Sequence, residues 1–196
     1  MRLGIALAAV AGLIVAASSG AASTAPPTKT TVYRPYLLGD VDPRLAVVRT
    51  AKGECFTGSL ADPRRDAWRC EIGNEIADPC FSDRAVPSWV LCPADSTPFG
   101  SRVVRLALSK ALPKRLANKE LPGEGYPWAV KLANGKVCTF LTGATHVYQG
   151  RRVDYGCDGK TFLAGTPNRS TTTWTITLGT GARSRPRTVQ IAVAAW

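Results

Sequence analysis

The chain of 196 residues has one histidine, one methionine and no Cys-x2-Cys pair. Each shortage removes a class of chemistry. A zinc site of ordinary spacing needs clustered Cys and His, so neither a metal nor another cofactor is expected. His146 is the only side chain able to serve a Ser-His-Asp or Cys-His arrangement, and no Gly-x-Ser-x-Gly elbow accompanies it. We read it as an ordinary strand or surface residue. No stretch carries a helical stripe of three turns. No apolar run after the first is long enough to cross a membrane. Acidic residues stop altogether at Asp158.

What is present begins with Met1-Arg2 and a small, apolar run from Leu3 to Ala17, followed by small residues up to Ala25. One positive charge, a short apolar run and a small-residue exit make a Sec-type signal peptide. The run falls short of the roughly 20 residues that span a bilayer. Residues 1–23 are therefore read as the signal, with cleavage between Ala22 and Ala25 and no cysteine there for a lipid anchor. Residues 24–44 read as an extended Thr/Pro-rich lead-in whose Tyr33 and Tyr36 dock on the body. Residues 45–196 read as a single all-β domain. Its six cysteines are Cys55, Cys70, Cys80, Cys92, Cys138 and Cys157. An even count in an exported chain argues for three disulfides, and for a protein that is secreted, extracellular or attached to the cell envelope.

Short β runs alternate with turns along that domain. Asn134-Gly135 lies between two apolar-rich runs and signals a hairpin, both turn residues tolerating positive φ. Gln149-Gly150 signals a second. Strands are expected at 45–50, 54–60, 66–72, 88–92, 102–109, 160–164, 171–178 and 188–194, with a single helical turn at 75–77, a turn at 165–168 and a basic loop over 110–125. About nine or ten short antiparallel strands with Gly and Pro turns give an all-β sandwich or barrel, stapled by disulfides.

An internal repeat bears on the pairing. Cys55-Phe-Thr-Gly-Ser59 leads to Arg64-Arg-Asp-Ala-Trp-Arg-Cys70, and Cys138-Thr-Phe-Leu-Thr-Gly-Ala144 leads to Arg151-Arg-Val-Asp-Tyr-Gly-Cys157. If each block is one hairpin, its cysteines face each other, and Cys80 is left for Cys92. This is one of fifteen possible pairings. Each bridge is worth about 3 kcal/mol in the chain-entropy account.

The same blocks carry a resemblance. Gly53-Glu-Cys-Phe-Thr-Gly-Ser59, Asp66-Ala-Trp-Arg-Cys70, Asp78-Pro-Cys-Phe81, Pro127-Trp-Ala129, Leu132-Ala-Asn-Gly135, Leu141-Thr-Gly-Ala-Thr145 and Tyr155-Gly-Cys157 together resemble a group of uncharacterised secreted proteins of actinobacteria, over about residues 48 to 196. The resemblance implies export from a bacterium and no particular activity.

Charge is the remaining signal. Eight acids lie between Glu54 and Asp95, whereas Lys110, Lys114, Arg115 and Lys119 form a block without acids, and Arg183, Arg185 and Arg187 form another. These seven are the candidate anion-binding residues. Neither block interleaves its cations with aromatics as single-strand nucleic-acid sites do, so no specific nucleic acid is expected. The reading is a non-catalytic, monomeric binding or envelope-associated protein, contacting an anionic cell-envelope polymer through basic loops. Two alternatives stand beside it. One is a small exported hydrolase using a carboxylate pair from Glu54, Asp66, Glu71, Glu75, Asp78 and Asp83. The other is a secreted protease inhibitor presenting the loop Ala61 to Arg65, with Arg64 or Arg65 at its tip. Peptide mapping without reduction is expected to return Cys55–Cys70, Cys80–Cys92 and Cys138–Cys157; a Cys70–Cys80 crosslink would break the hairpin reading.

Overall fold

The computed structural model describes residues 25–95, 97–114 and 125–196. The expected signal peptide, residues 1–23, and the candidate residues Arg115 and Lys119 lie outside the described residues. Every described element is a strand. No helix among the described residues is long and apolar enough to cross a membrane.

The lead-in supplies three short pieces, β1 (Lys29–Thr31), β2 (Tyr36–Leu37) and β3 (Asp40–Val41). Five strands follow: β4 (Ala46–Gly58), β5 (Ala67–Ile72), β6 (Glu75–Phe81), β7 (Trp89–Pro93) and β8 (Arg102–Leu108). They close into a barrel in sequence order, β8 pairing back to β4. The rest of the chain forms β9 (Ala129–Leu132), β10 (Val137–Phe140), β11 (Val147–Tyr148), β12 (Arg151–Cys157), β13 (Phe162–Asn168), β14 (Thr175–Gly179) and β15 (Arg187–Ala195). Six of these also run in sequence order and close through β15 on β9, while β11 folds back onto β12.

Parity explains the two closures. An up-and-down meander of five strands brings its first and last strands together parallel, and one of six brings them together antiparallel. The β4–β8 ladder is parallel and the β9–β15 ladder antiparallel. The lead-in adds one more parallel pairing, β1 on β15.

The sequence suggested two strands over 45–60, but β4 is continuous. Its first half pairs with β8 and its second half with β5. Gly53 sits at the change of partner, where an added Cβ would lie 2.1 Å from the Glu71 carbonyl oxygen. Only glycine permits so close a backbone approach at a barrel corner. Residues 75–77 are strand, not a helical turn. Gly73-Asn74 is a two-residue hairpin turn, Gly73 having φ 64°, and it sets Ile72 opposite Glu75 and Glu71 opposite Ile76. Residues 165–168 are also strand: Gly165, φ 74°, marks a bulge through which β13 continues to Asn168 opposite Thr175. The Asn134-Gly135 hairpin forms, but only Gly135 has positive φ. Gly135 N–H donates to the Leu132 carbonyl at 2.9 Å, giving a three-residue loop that ends on a left-handed glycine. Of the two expected hairpin turns, the one with positive φ at both residues is Gln149-Gly150 (51° and 74°); the Leu38-Gly39 turn between β2 and β3 shares this geometry (53° and 83°).

All three disulfides pair as the repeat implied. Cys55 lies opposite Cys70, and Cys138 opposite Cys157, across hairpin ladders. Two of the bridges fill the first barrel, packed with Trp68, Val90 and Leu106. Five short strands enclose too little apolar volume to do without such cross-links. The second barrel has a larger apolar filling, including Val130, Leu132, Tyr155, Leu163, Ile176, Leu178 and Ile191. A third cluster joins the barrels: Tyr33 from the lead-in, Phe81 from β6 and Trp128 before β9 are all buried together. Gly53→Ala is expected to lower stability by about 1–3 kcal/mol through backbone displacement, read as a lower urea midpoint in the oxidised protein.

Candidate functional site

The second barrel carries most of the charge imbalance. Residues 125–196 hold nine basic side chains against Asp154 and Asp158, a balance of +7; residues 45–114 hold ten against eight, or +2.

The loop 180–186, which joins β14 to β15, is braced from within and from below. Ser184 N–H and Oγ both donate to the Gly181 carbonyl, at 3.0 and 2.8 Å. The buried Tyr148 hydroxyl donates to the Ser184 carbonyl at 2.6 Å. On or beside this fixed loop Arg183, Arg185 and Arg187 stand exposed, with no ion pair among the described residues. Arg151 joins them. It is the cross-strand partner of Tyr148, the residue that braces the loop, and its Nη1 lies 3.4 Å from Thr177 Oγ1 on the outer face.

A polar strip leads away from these cations. Ile176 and Leu178 turn into the barrel, so Thr175 and Thr177 face outward. The registers Thr175 with Gln190 and Thr177 with Thr188 put Gln190 and Thr188 on the same face.

One β14 length away, roughly 13 Å at the rise of a strand, stands a second cation. The Arg169 guanidinium is 4.6 Å from the Trp174 ring centre and 5.4 Å from those of Tyr126 and Trp196. All three distances lie within cation–π reach. Trp174 and Trp196 meet edge to face, 5.9 Å apart. Arg169 Nη2 donates to the Gly125 carbonyl, and no carboxylate pairs with Arg169 among the described residues.

The lead-in holds this cluster together. Thr28 N–H donates to the Thr172 carbonyl at 3.0 Å, and Thr28 Oγ1 accepts from Trp174 N–H at 2.8 Å. Further along, Trp196 N–H donates to the Thr31 carbonyl at 3.0 Å and Tyr33 N–H to the Trp196 carbonyl at 2.7 Å. The sequence showed no aromatics interleaved with its basic blocks. Arg169 lies outside both blocks, and the fold carries Tyr126 and Trp196 to it from distant positions.

The other expected cations are not gathered here. Lys110 belongs to the first barrel and pairs with Glu54 at 2.6 Å, which neutralises it. Lys114 is exposed beyond β8. The carboxylates of the first barrel are mostly engaged. Asp62 is buried and accepts from Arg64 Nε at 3.0 Å. Asp78 accepts from the Ser59 hydroxyl, from Leu60 N–H at 3.2 Å and from Arg69 Nη1 at 3.3 Å. Burial pushes both carboxyls above the ordinary range despite these partners. Glu71 and Glu75 are exposed around the β5–β6 turn. Asp66 and Asp83 share an open recess of about 400 Å³, but Arg65 and Arg84 line it too, so its charges balance.

The loop 61–65 does not project. Ala61 and Asp62 are buried, and Arg64 turns inward over the Phe81 ring at 4.5 Å and donates to the Tyr33 carbonyl at 2.8 Å. Arg65 alone is exposed. His146 is exposed, with its ring edge to face with Phe162 at 5.1 Å. No group of three or more His, Cys, Asp or Glu residues is placed to hold a metal among the described residues.

No protein family, curated protein or solved structure matches the chain. The geometry alone therefore has to carry the functional reading.

The raised carboxyls have a consequence for stability. Asp62 and Asp78 bind a proton more readily folded than unfolded, so their contribution to stability falls as pH rises from about 4 through their raised values. Urea midpoints between pH 4 and pH 7 are expected to decline on this account, and the decline to shrink in Asp78→Asn. A rise attributable to Asp78 would mean that Ser59 and Arg69 outweigh burial.

Proposed function

We propose that this is an exported, non-catalytic, monomeric binding protein whose second barrel holds an anionic polymer of the cell envelope. The observation that carries the reading is the set of uncompensated cations at one end of that barrel. Arg183, Arg185 and Arg187 sit exposed on or beside a braced loop with Arg151 near by, and none has an acidic partner among the described residues. Exposed like charges repel one another, so this arrangement raises the energy of the free surface and lowers it when a polyanion arrives. A loop already fixed by Tyr148 loses little further entropy on binding. Three disulfides suit an oxidising location. The bridges also allow the small first barrel to persist outside the cell, where nothing would refold it.

Retention of the wild-type protein on immobilised heparin or wall material is expected to weaken steeply with salt. Changing Arg183, Arg185 and Arg187 together to Gln should reduce the slope of log affinity against log salt by about one for each arginine engaged. The melting temperature should not fall, because these side chains make no ion pair among the described residues and their mutual repulsion is relieved. Retention that is independent of salt, or identical in the triple variant, would remove the proposal.

A further inference from the structure

We infer that Arg169 is the specificity site of this surface and takes the carboxylate of an acidic sugar residue in the bound polymer; the inference rests on the polyanion-binding reading above. Arg169 differs from the other cations in being immobilised. Its guanidinium lies against Trp174, Tyr126 and Trp196, and its Nη2 donates to the Gly125 carbonyl. That is the one hydrogen bond it makes among the described residues, although a guanidinium carries five N–H donors. Arg169 is exposed while the three rings are partly covered. The result is a rigid fork of unused donors facing solvent, the geometry that meets two oxygens of a carboxylate side by side. Because its orientation is set in advance by aromatic contacts, little entropy is lost when the anion docks.

The rim says which carboxylate. The segment from Asn168 to Thr173 reads Asn-Arg-Ser-Thr-Thr-Thr. Ser170 and Thr172 are exposed, and their hydroxyls make no hydrogen bond among the described residues. Hydroxyls donate and accept, as the hydroxyls of a sugar also do. A phosphodiester chain would instead call for a series of cations at this position, and Arg169 is the only one in the segment. Stacking of nucleic-acid bases is disfavoured because the three rings are partly covered and Arg169 lies within cation–π reach of each. From this corner the outward row of Thr175, Gln190, Thr177 and Thr188 leads to Arg151 and the Arg183–Arg187 loop. A linear acidic polysaccharide can follow that strip with one residue fixed at Arg169 and later charges met by the loop.

Arg169 also clasps the C-terminal Trp196, so a purely structural role must be separated from recognition. Arg169→Lys keeps a cation against the rings and removes the fork. In calorimetric titration, tetragalacturonate is expected to bind the wild type, and Arg169→Lys to lower that affinity by about tenfold or more. Inorganic polyphosphate affinity should not change, and any fall in melting temperature from the lost Gly125 contact should leave the variant folded at the titration temperature. In the unaltered protein, the Arg169 Nε–Hε resonance should shift on titration with tetragalacturonate and not with a neutral galactose oligomer. Unchanged tetragalacturonate affinity in Arg169→Lys, or an unmoved Arg169 resonance, overturns the inference while salt-sensitive heparin retention leaves the broader function standing. Tighter binding of a single-stranded oligonucleotide than of tetragalacturonate overturns it in favour of nucleic acid. Absence of binding to every polyanion overturns both.

Discussion

Tyr33 is the residue through which the two barrels take their relative positions. Its side chain is buried between Phe81 of the first barrel and Trp128 of the second, with ring centres 5.2 and 6.1 Å away. Its backbone bonds both ways, N–H to the Trp196 carbonyl and carbonyl to Arg64. Burial of these three large rings removes apolar surface from water, and edge-to-face geometry adds directional preference. The consequences run outward. Seating Tyr33 draws the lead-in alongside β15 as β1, which holds Trp196 in place, and Trp196 is one wall of the Arg169 cluster. A residue of the lead-in thereby shapes a surface feature of the far barrel.

The barrels divide the physical work. The first is small, nearly balanced in charge and filled by two disulfides; its acids are mostly engaged in ion pairs and in the Ser59–Asp78–Arg69 contacts that fix the 59–66 loop. The second has an apolar filling of its own and places its polar residues outward. With only two acids to offset nine bases, its field extends into solvent and is screened only over about 10 Å at ordinary ionic strength. On the proposed reading the first barrel is a support and the second the contact surface.

Much of the fold could be read along the chain because its signals were local. Gln149-Gly150 makes a tight turn for reasons contained in two residues, and Cys138 and Cys157 lie on either side of that hairpin system. The repeat let one block instruct the other, which is why the bridges paired as expected. Other signals were local but outweighed. Gly165-Thr-Pro-Asn168 has the composition of a turn, yet pairing of Asn168 with Thr175 made it a bulged strand. Glu75-Ile-Ala77 has no strong strand preference, and the Gly73-Asn74 turn placed it opposite β5.

The sequence by itself determined the class of this protein: helix-poor, cross-braced, basic and rich in tight turns. These properties follow from residue type and near-neighbour spacing, which do not depend on what lies far away. Tertiary structure alone decided that the strands close as two barrels, because closure depends on how many strands pair before the first meets the last. It likewise decided that Tyr126, Arg169, Trp174 and Trp196 form one cluster. Their contacts cross up to 43 positions of chain and exist only after β1, β9 and β15 have paired, so no local pattern could announce them.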